Sequence, residues 1–432
     1  MIQLFSNDLE AVFVRRPNRF LVIAEREGRE IPCHCPNPGR LIEFFGFRGY
    51  PIPGARLILE KRASPGAAKT AYTAAGLYYR DRPGGGEVVV PLISARANRA
   101  AKERILQKII PGLAEVRAEY TLGGSRFDFL CTDDRGRRHL VEVKACSLVE
   151  YGAAMFPDAP SGRALKHLEE LAARSREGFR CHLLFVIVHS RPEVFIPNFH
   201  TDPAFAAALS RWGTAAVPAG DGGGAVSPRG SPQNQGAPGE RPPPEDRPVL
   251  VHAALLRLDR RGGAALVSSA LPVDLRYGAL AERDGGSYLM VLELKNEAET
   301  AVGSLGRLRF RPGWYVYAGS ARKNLRSRMG RHQRKVRKRK RWHLDYLTPF
   351  AETPIRALPV RSFRNLECDL AGDLLALGGE AVKGFGSSDC TRGCPGHLYY
   401  FSESPLLERG FGDLLFKYRH REAIVLPEGL PR

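Results

Sequence analysis

Acidic side chains are in short supply along this chain of 432 residues: 46 Asp and Glu stand against 65 Lys and Arg, giving a formal charge of +19 and a pI near 9.8. A surface so poor in negative charge attracts polyanions, and nucleic acid is the commonest of these in a cell. Long apolar runs are also lacking. No stretch approaches the length of a membrane span, so no membrane partner is expected. Met1 to Glu10 contain no basic stretch leading into an apolar one, so no secretory signal is expected either. The eight cysteines are mostly single and scattered, unlike a disulfide framework. These absences predict a cytoplasmic protein. The remaining composition, 43% hydrophobic and 26% charged, is that of a globular chain long enough for several domains.

The clearest break runs from Pro218 to Pro248, rich in Gly and Pro and almost without large apolar residues. Such a segment cannot bury enough surface to offset the entropy of ordering, which predicts a disordered linker. Before it, short β-rich runs such as Phe20-Leu21-Val22-Ile23 alternate with Gly and Pro turns and suit a small barrel over residues 1–82. A mixed α/β domain is expected over 83–217. Its Leu183-Leu184-Phe185-Val186-Ile187-Val188 reads as a fully buried strand. A second α/β domain is expected over 249–405, followed by a C-terminal extension over 406–432.

Two strand-like runs carry the first candidate chemistry. Alternation in Ser125–Leu130 sets Phe127 and Phe129 on one face and Asp128 on the other. In His139–Lys144, Val141 and Val143 face a core while Glu142 and Lys144 share the opposite side. A three-residue loop, Asp134-Arg135-Gly136, would place Asp128 across from Glu142. The two carboxylates could then grip one divalent cation with Lys144 beside it, the hard-oxygen arrangement that phosphodiester hydrolysis needs.

These residues resemble the PD-(D/E)XK nuclease core as it occurs in the sugar fermentation stimulation protein (SfsA) family. The resemblance runs over 1–217 and includes His34-Cys35-Pro36-Asn37-Pro38-Gly39-Arg40, Asn98, Glu119, Phe156-Pro157-Asp158-Ala159, Lys166-His167-Leu168 and Asp202-Pro203. It departs from the family at Pro38 and at Gly162-Arg163-Ala164. The resemblance implies an OB-like barrel ahead of a nuclease-like domain, DNA binding, and Asp128, Glu142 and Lys144 as a metal-dependent site.

Beyond the linker, Gly286–Leu292 and Gly313–Ser320 read as paired strands, followed by a helix bearing Leu325, Arg328 and His332. Glu367 falls on a later helix whose buried stripe is Leu366, Leu370 and Leu374. With Trp342–Leu347, Gly384–Cys390 and His397-Leu398, this series resembles the GIY-YIG nuclease core, specifically Uri-type endonucleases, over about 285–401. The resemblance implies that Tyr288 and Tyr317 position or deprotonate a water, that Arg328 and His332 hold the phosphate, and that Glu367 binds a metal.

Arg331, Arg334, Lys335, Arg337, Lys338, Arg339, Lys340 and Arg341 form the densest basic run and are expected to touch phosphates non-specifically. Arg40 and Arg126 are further candidate nucleic-acid contacts. Neither Cys33-His34-Cys35 nor Cys390, Cys394 and His397 offers four evident zinc ligands, so these cysteines are expected to be structural or incidental. The sequence thus predicts a multidomain α/β protein (OB-like barrel, PD-(D/E)XK-like domain, disordered Gly/Pro linker, GIY-YIG-like domain). The expected function is DNA or RNA hydrolysis with Mg²⁺ or Mn²⁺. The alternative is a non-catalytic DNA-binding or regulatory protein that uses nuclease folds for grip.

Overall fold

The computed structural model describes residues 1–63, 70–80, 86–189, 192–216, 248–336 and 339–421. The expected linker, apart from Pro248, lies outside the described residues, as do Arg337, Lys338 and the end of the expected extension. The chain divides into two compact units, one of Met1–Asn198 with Ala204–Gly278, the other of Phe199–Pro203 with the residues from Ala279 on.

The first unit opens with an OB-type barrel. Its strands run in the order Arg29–His34, Leu21–Arg26, Leu9–Asn18, Arg56–Lys61, Tyr72–Tyr79 and Val88–Pro91. Parallel pairing of Cys33 with Tyr72 and of His34 with Thr73 closes the sheet on itself. Phe13, Val22, Leu57, Leu77 and Val90 fill the interior. Cys33 and Cys35 are buried among them, and burial pushes the Cys33 thiol up to about 12. Neither is a metal ligand in waiting.

The second part of this unit is a sheet with cores on both faces. The apolar strand Arg180–Val188 is central, as its composition predicts, and is paired in parallel along both edges. Leu184, Val186 and Val188 pack on one face with Ala97, Ala101 and Ile105 of the helical stretch 96–109. Leu183, Phe185 and Ile187 pack on the other with Leu168 and Leu171 of the helix Gly162–Ser175 and Phe205 and Leu209 of the helix Pro203–Trp212. Each of these strand side chains contributes roughly 1.5–3 kcal/mol by leaving water.

One expected boundary is overturned. Val249–Leu258 does not begin a new domain but pairs in parallel with Arg180–Val188, Cys181 opposite Val249 through Val188 opposite Leu256. Gly263–Ser268 follows antiparallel, and its Ala264 meets Ile2 near the start of the chain. An apolar strand edge at Arg180–Val188 must be covered, and the residues that cover it come after the linker. The segment 218–248 is therefore inserted within the first unit rather than placed between two units, and the second compact unit begins near Ala279.

Three histidines bridge the seam. His139 Nδ1 lies 3.0 Å from His182 Nε2, and His182 Nδ1 lies 3.0 Å from His252 Nε2, one imidazole on each of three adjacent strands. Asp133 ends the row, its Oδ2 3.2 Å from His139 Nε2. Burial lowers all three imidazoles, His252 to about 4.

The second unit is an antiparallel sheet in the order Arg356–Arg361, Gly286–Leu294, Gly313–Ala321, Leu398–Phe401 and Glu380–Ala381. The helix Leu325–Gln333 follows the Gly313–Ala321 strand, and Glu367–Ala376 carries Leu370 and Leu374 into the core. Part of the expected C-terminal extension belongs to this unit, because Arg409–Phe416 is a helix with Phe411, Leu414, Leu415 and Phe416 buried.

Two expectations follow. Residues 1–217, lacking the covering strands, should aggregate or melt without cooperativity, whereas 1–278 should be monodisperse with a cooperative melt; a cooperative 1–217 fragment would mean the seam is dispensable. Separately, the unfolded chain takes up a proton at His252 near its free value of about 6.5 while the folded one does not until near 4. Stability is thus complete above pH 6.5 and falls as pH drops toward 4, by about 2 kcal/mol at pH 5 from this residue. Urea unfolding at pH 7.5 and pH 5 measures it, and His252→Leu should flatten the difference; an unchanged pH slope would remove His252 from the account.

Candidate active sites

The first site is built on the hairpin that the sequence suggests. Phe129 opposes Val141 and Thr132 opposes Arg138; the ladder ends at Phe129, and beyond it Asp128 is tied to the Glu142 strand through the Val143 amide. Asp133 N donates to Arg137 O and Gly136 N to Asp133 O, with Gly136 left-handed at φ 72°, as a three-residue loop requires. The simple alternation does not survive around Asp128, however. Phe127 packs on the helix Gly162–Ser175 side of the sheet and Phe129 on the other. Glu119, on the neighbouring strand between the partners of Phe127 and Phe129, is left-handed at φ 55° and breaks the pleat there.

Asp128 is fixed by two donors, Asn98 Nδ2 to Oδ1 and Val143 N to Oδ2, each at 2.7 Å. Burial and the neighbouring Glu142 charge push its carboxyl up. Glu142 is buried, and its Oε1 accepts from Lys144 Nζ at 2.6 Å and meets His167 Nδ1. Burial opposes the charge on Glu142, but the contacts with His167 and Lys144 outweigh it and hold the carboxyl low. Its other oxygen, Oε2, is buried without a hydrogen-bond partner. Such an orphaned anionic oxygen is costly unless a cation takes it up, so the donor set fits a hard divalent ion.

Asn98 and the segment of His167 are part of the family resemblance, but spacing alone assigns them no role. Asp158 is similar. Its Oδ2 accepts from Leu41 N at 3.1 Å, and a side chain at Gly39 would collide with it, so it ties the barrel loop to the nuclease-like sheet. Arg40 is exposed on that loop. Arg126 is exposed and pairs with Glu119 at 3.7 Å.

The second site lies in a cleft of ≈ 630 Å³ lined by Tyr288, Tyr317, Arg328 and Glu367, with Arg322, Arg341 and Arg392. Tyr288 and Tyr317 sit on adjacent antiparallel strands with ring centroids 6.4 Å apart. Gly319 lies opposite Tyr288 and makes this possible, since a Cβ there would fall 2.5 Å from the Tyr288 hydroxyl and 2.8 Å from the Tyr317 ring. Burial raises both phenols above their ordinary range. They stay protonated near neutral pH, so neither is a ready-made phenolate base.

Arg328 donates to Ser320 O at 3.1 Å and stacks over Trp342, leaving its guanidinium at the cleft. Glu367 Oε2 accepts from the Ser320 hydroxyl at 2.5 Å, and its Oε1 lies 3.0 Å from His397 Nδ1. A single carboxylate fits Mg²⁺ that keeps most of its water shell. His332 is placed differently from the expectation. It is buried behind the cleft wall, its Nε2 3.1 Å from Tyr288 Oη and its Nδ1 3.5 Å from Asp345 Oδ1. Asp345 has no role in the sequence reading, and only its place in the Trp342–Leu347 segment could have pointed to it.

The basic run is not uniform. Arg331 is held by both oxygens of the buried Asp345, at 3.0 and 2.7 Å, and is structural. Arg334, Arg339, Lys340 and Arg341 are exposed beyond the helix end, and Lys335 is half-buried. The fourth convergent donor that the sequence does not make evident is supplied by Cys368: donor atoms of Cys368, Cys390, Cys394 and His397 all lie within 4.8 Å of one another. The sequence hid this because Cys368 stands 22 residues from Cys390 and is brought in by the Glu367–Ala376 helix.

Comparison with known proteins agrees with this division. Residues 14–89 match the SfsA N-terminal OB domain, and residues 95–219 match the sugar fermentation stimulation protein RE domain. Residues 287–415 match the domain of unknown function DUF123, over the segment that resembles Uri-type endonucleases. A sugar fermentation stimulation protein homolog from Pyrobaculum neutrophilum is 36% identical over 211 residues, 49% of this chain and 84% of that protein. One from Moorella thermoacetica is 36% identical over 220 residues, 50% of this chain and 90% of that protein. The solved structure of Pyrococcus furiosus SfsA in complex with Ca²⁺ is similar at 23% identity and a TM-score of 0.46, covering 63% of this chain and 100% of that one. Among the described residues no helix is long and apolar enough to cross a membrane. With its barrel and nuclease-like sheet both matched and most of those relatives' length covered, the chain belongs to the sugar fermentation stimulation protein (SfsA) family and carries a DUF123 domain behind that core.

Proposed function

We propose that the chain is a nucleic-acid phosphodiester hydrolase, acting on DNA or RNA with Mg²⁺ or Mn²⁺, and that it carries one site in each compact unit. The observation that carries this reading is the buried Glu142, with one oxygen unpartnered, beside Lys144 and close enough to Asp128 for its charge to push that carboxyl up. A divalent ion held there by Asp128 and Glu142 would supply charge neutralisation on the phosphate and activation of a water. Asn98 and the Val143 amide hold Asp128 in one orientation, and His167 does the same for Glu142. Lys144, whose Nζ already points at Glu142, orients the attacking water and stabilises charge building on the phosphate oxygens.

In the second site Arg328, reinforced by Arg322 and Arg341, holds the phosphate with planar, multiply bonded recognition. Tyr288 accepts the water proton at Oη as its own proton passes to His332 Nε2, and Asp345 steadies the resulting imidazolium. Tyr317 donates to the phosphate or the water, and Glu367 is the metal ligand. The net charge, the exposed Arg334, Arg339 and Lys340 and the half-buried Lys335 draw the backbone in.

Cleavage of labelled single- and double-stranded DNA and RNA with Mg²⁺, Mn²⁺ or EDTA tests the reading. Asp128→Ala or Glu142→Ala should cost the first site at least about a hundredfold in rate while substrate binding and the melt stay near wild type. If cleavage and folding fall together, Asp128 and Glu142 are structural, and a parent inactive on every substrate points to a binding protein. For the second site, full-length protein silenced by Asp128→Ala is the parent. There Arg328→Lys should lose about tenfold or more in single-turnover cleavage, and Glu367→Gln should bind without cutting. Wild-type cutting by Glu367→Gln would withdraw the metal role of Glu367.

A further inference from the structure

Along one side of the second cleft, on residues to which the proposed reaction gives no part, the second unit gathers four soft donors at one point. Cys368 comes from the first turn of the Glu367–Ala376 helix. Cys390, Cys394 and His397 come from the segment that follows Ala381 and leads into the strand Leu398–Phe401. From these positions we propose that the DUF123 unit holds a structural Zn²⁺ ion on Cys368 Sγ, Cys390 Sγ, Cys394 Sγ and His397 Nε2.

The spacing matches tetrahedral zinc. With Zn–S near 2.3 Å and Zn–N near 2.0–2.1 Å, two thiolates should stand about 3.8 Å apart and a thiolate and an imidazole nitrogen about 3.6 Å apart. Cys368 Sγ is 3.6 Å from Cys390 Sγ and 3.9 Å from His397 Nε2. A disulfide would need its sulfurs at about 2.05 Å. Three thiolates and an imidazole select a soft or borderline metal over Mg²⁺. A set of four protein ligands leaves no open position, which marks the site as structural rather than catalytic.

The outer contact points the same way. His397 Nδ1 faces Glu367 Oε1 at 3.0 Å, which leaves Nε2 turned to the sulfurs in the carboxylate–histidine–metal arrangement usual for zinc. The segment 382–397 is irregular, with left-handed Gly384, Gly386 and Gly393, and it forms one wall of the cleft through Gly386, Asp389 and Cys390. A wall built outside helix and strand, held mainly by turns, is what a metal clip stabilises. The ion also ties that wall to the helix bearing Glu367, because Cys368 is its neighbour in sequence and His397 its partner. Loading releases the protons of the three thiols to solvent, so affinity should fall at acidic pH.

The zinc site stands whether or not the cleft cuts nucleic acid, and its test does not use activity. Full-length protein purified under reducing conditions should contain one zinc per chain by mass spectrometry of metals, retained by Cys33→Ser in the barrel and lost by Cys390→Ser with Cys394→Ser. Cobalt exchanged into the wild-type protein should give the visible bands of tetrahedral Co²⁺ and a thiolate charge-transfer band. This second measurement needs no variant to fold. Wild-type protein that takes up neither zinc nor cobalt overturns the proposal. So does zinc that persists in the double variant, or a Cys368–Cys390 disulfide in the reduced preparation.

Discussion

The strand Arg180–Val188 is buried from Cys181 on, and most of the first unit is arranged to meet that condition. Its side chains feed two cores, one on each face, and both of its edges carry parallel partners. A strand buried this way fixes the register of whatever pairs with it. Arg138–Cys146 is locked against it from His139 to Cys146, so the Glu142 carboxylate cannot slide relative to Asp128 on the next strand. Rigidity at the carboxylates is inherited from burial next door, which is how a site comes to tolerate an unpaired anionic oxygen.

The two centres handle buried charge differently. In the first, a carboxylate is deliberately under-satisfied, and its stability at neutral pH comes from one lysine and one histidine on the same oxygen. In the second, the most buried acid, Asp345, is over-satisfied. Burial pushes its carboxyl up, but His332, the Arg341 amide, Arg331 and the Trp342 amide outweigh that cost and hold it low. An acid with every lone pair occupied is scaffolding, whereas one with an open lone pair invites a cation.

Local pattern made some of this legible and could not have made the rest so. The apolar run 183–188, the Gly136 loop and the Leu366, Leu370 and Leu374 stripe were readable because each depends on neighbours within one element. Asn98, His167, Asp158 and Asp345 have their partners on other elements, and no period announces them. His332 shows the limit of helical spacing. Four residues from Arg328 puts it on the same face, yet the sheet below swallows it while Arg328 reaches the cleft. The domain boundary was misread for a related reason. Composition marks where large apolar residues run out but says nothing about whether the strands on either side of such a stretch pair with each other.

That pairing has a consequence for how the chain is made. Because Val249–Leu258 and Gly263–Ser268 complete the first unit's sheet, a ribosome must have synthesised past the whole of segment 218–248 before the apolar edge of Arg180–Val188 can be covered. Until then the nascent chain presents a long, unpaired, hydrophobic strand, the kind of template on which neighbouring chains stick together. The inserted segment lengthens that interval in proportion to its residues, while the entropy of closing the loop grows only with the logarithm of its length. The burden of a longer insertion therefore falls mainly on the time the chain spends unprotected during synthesis.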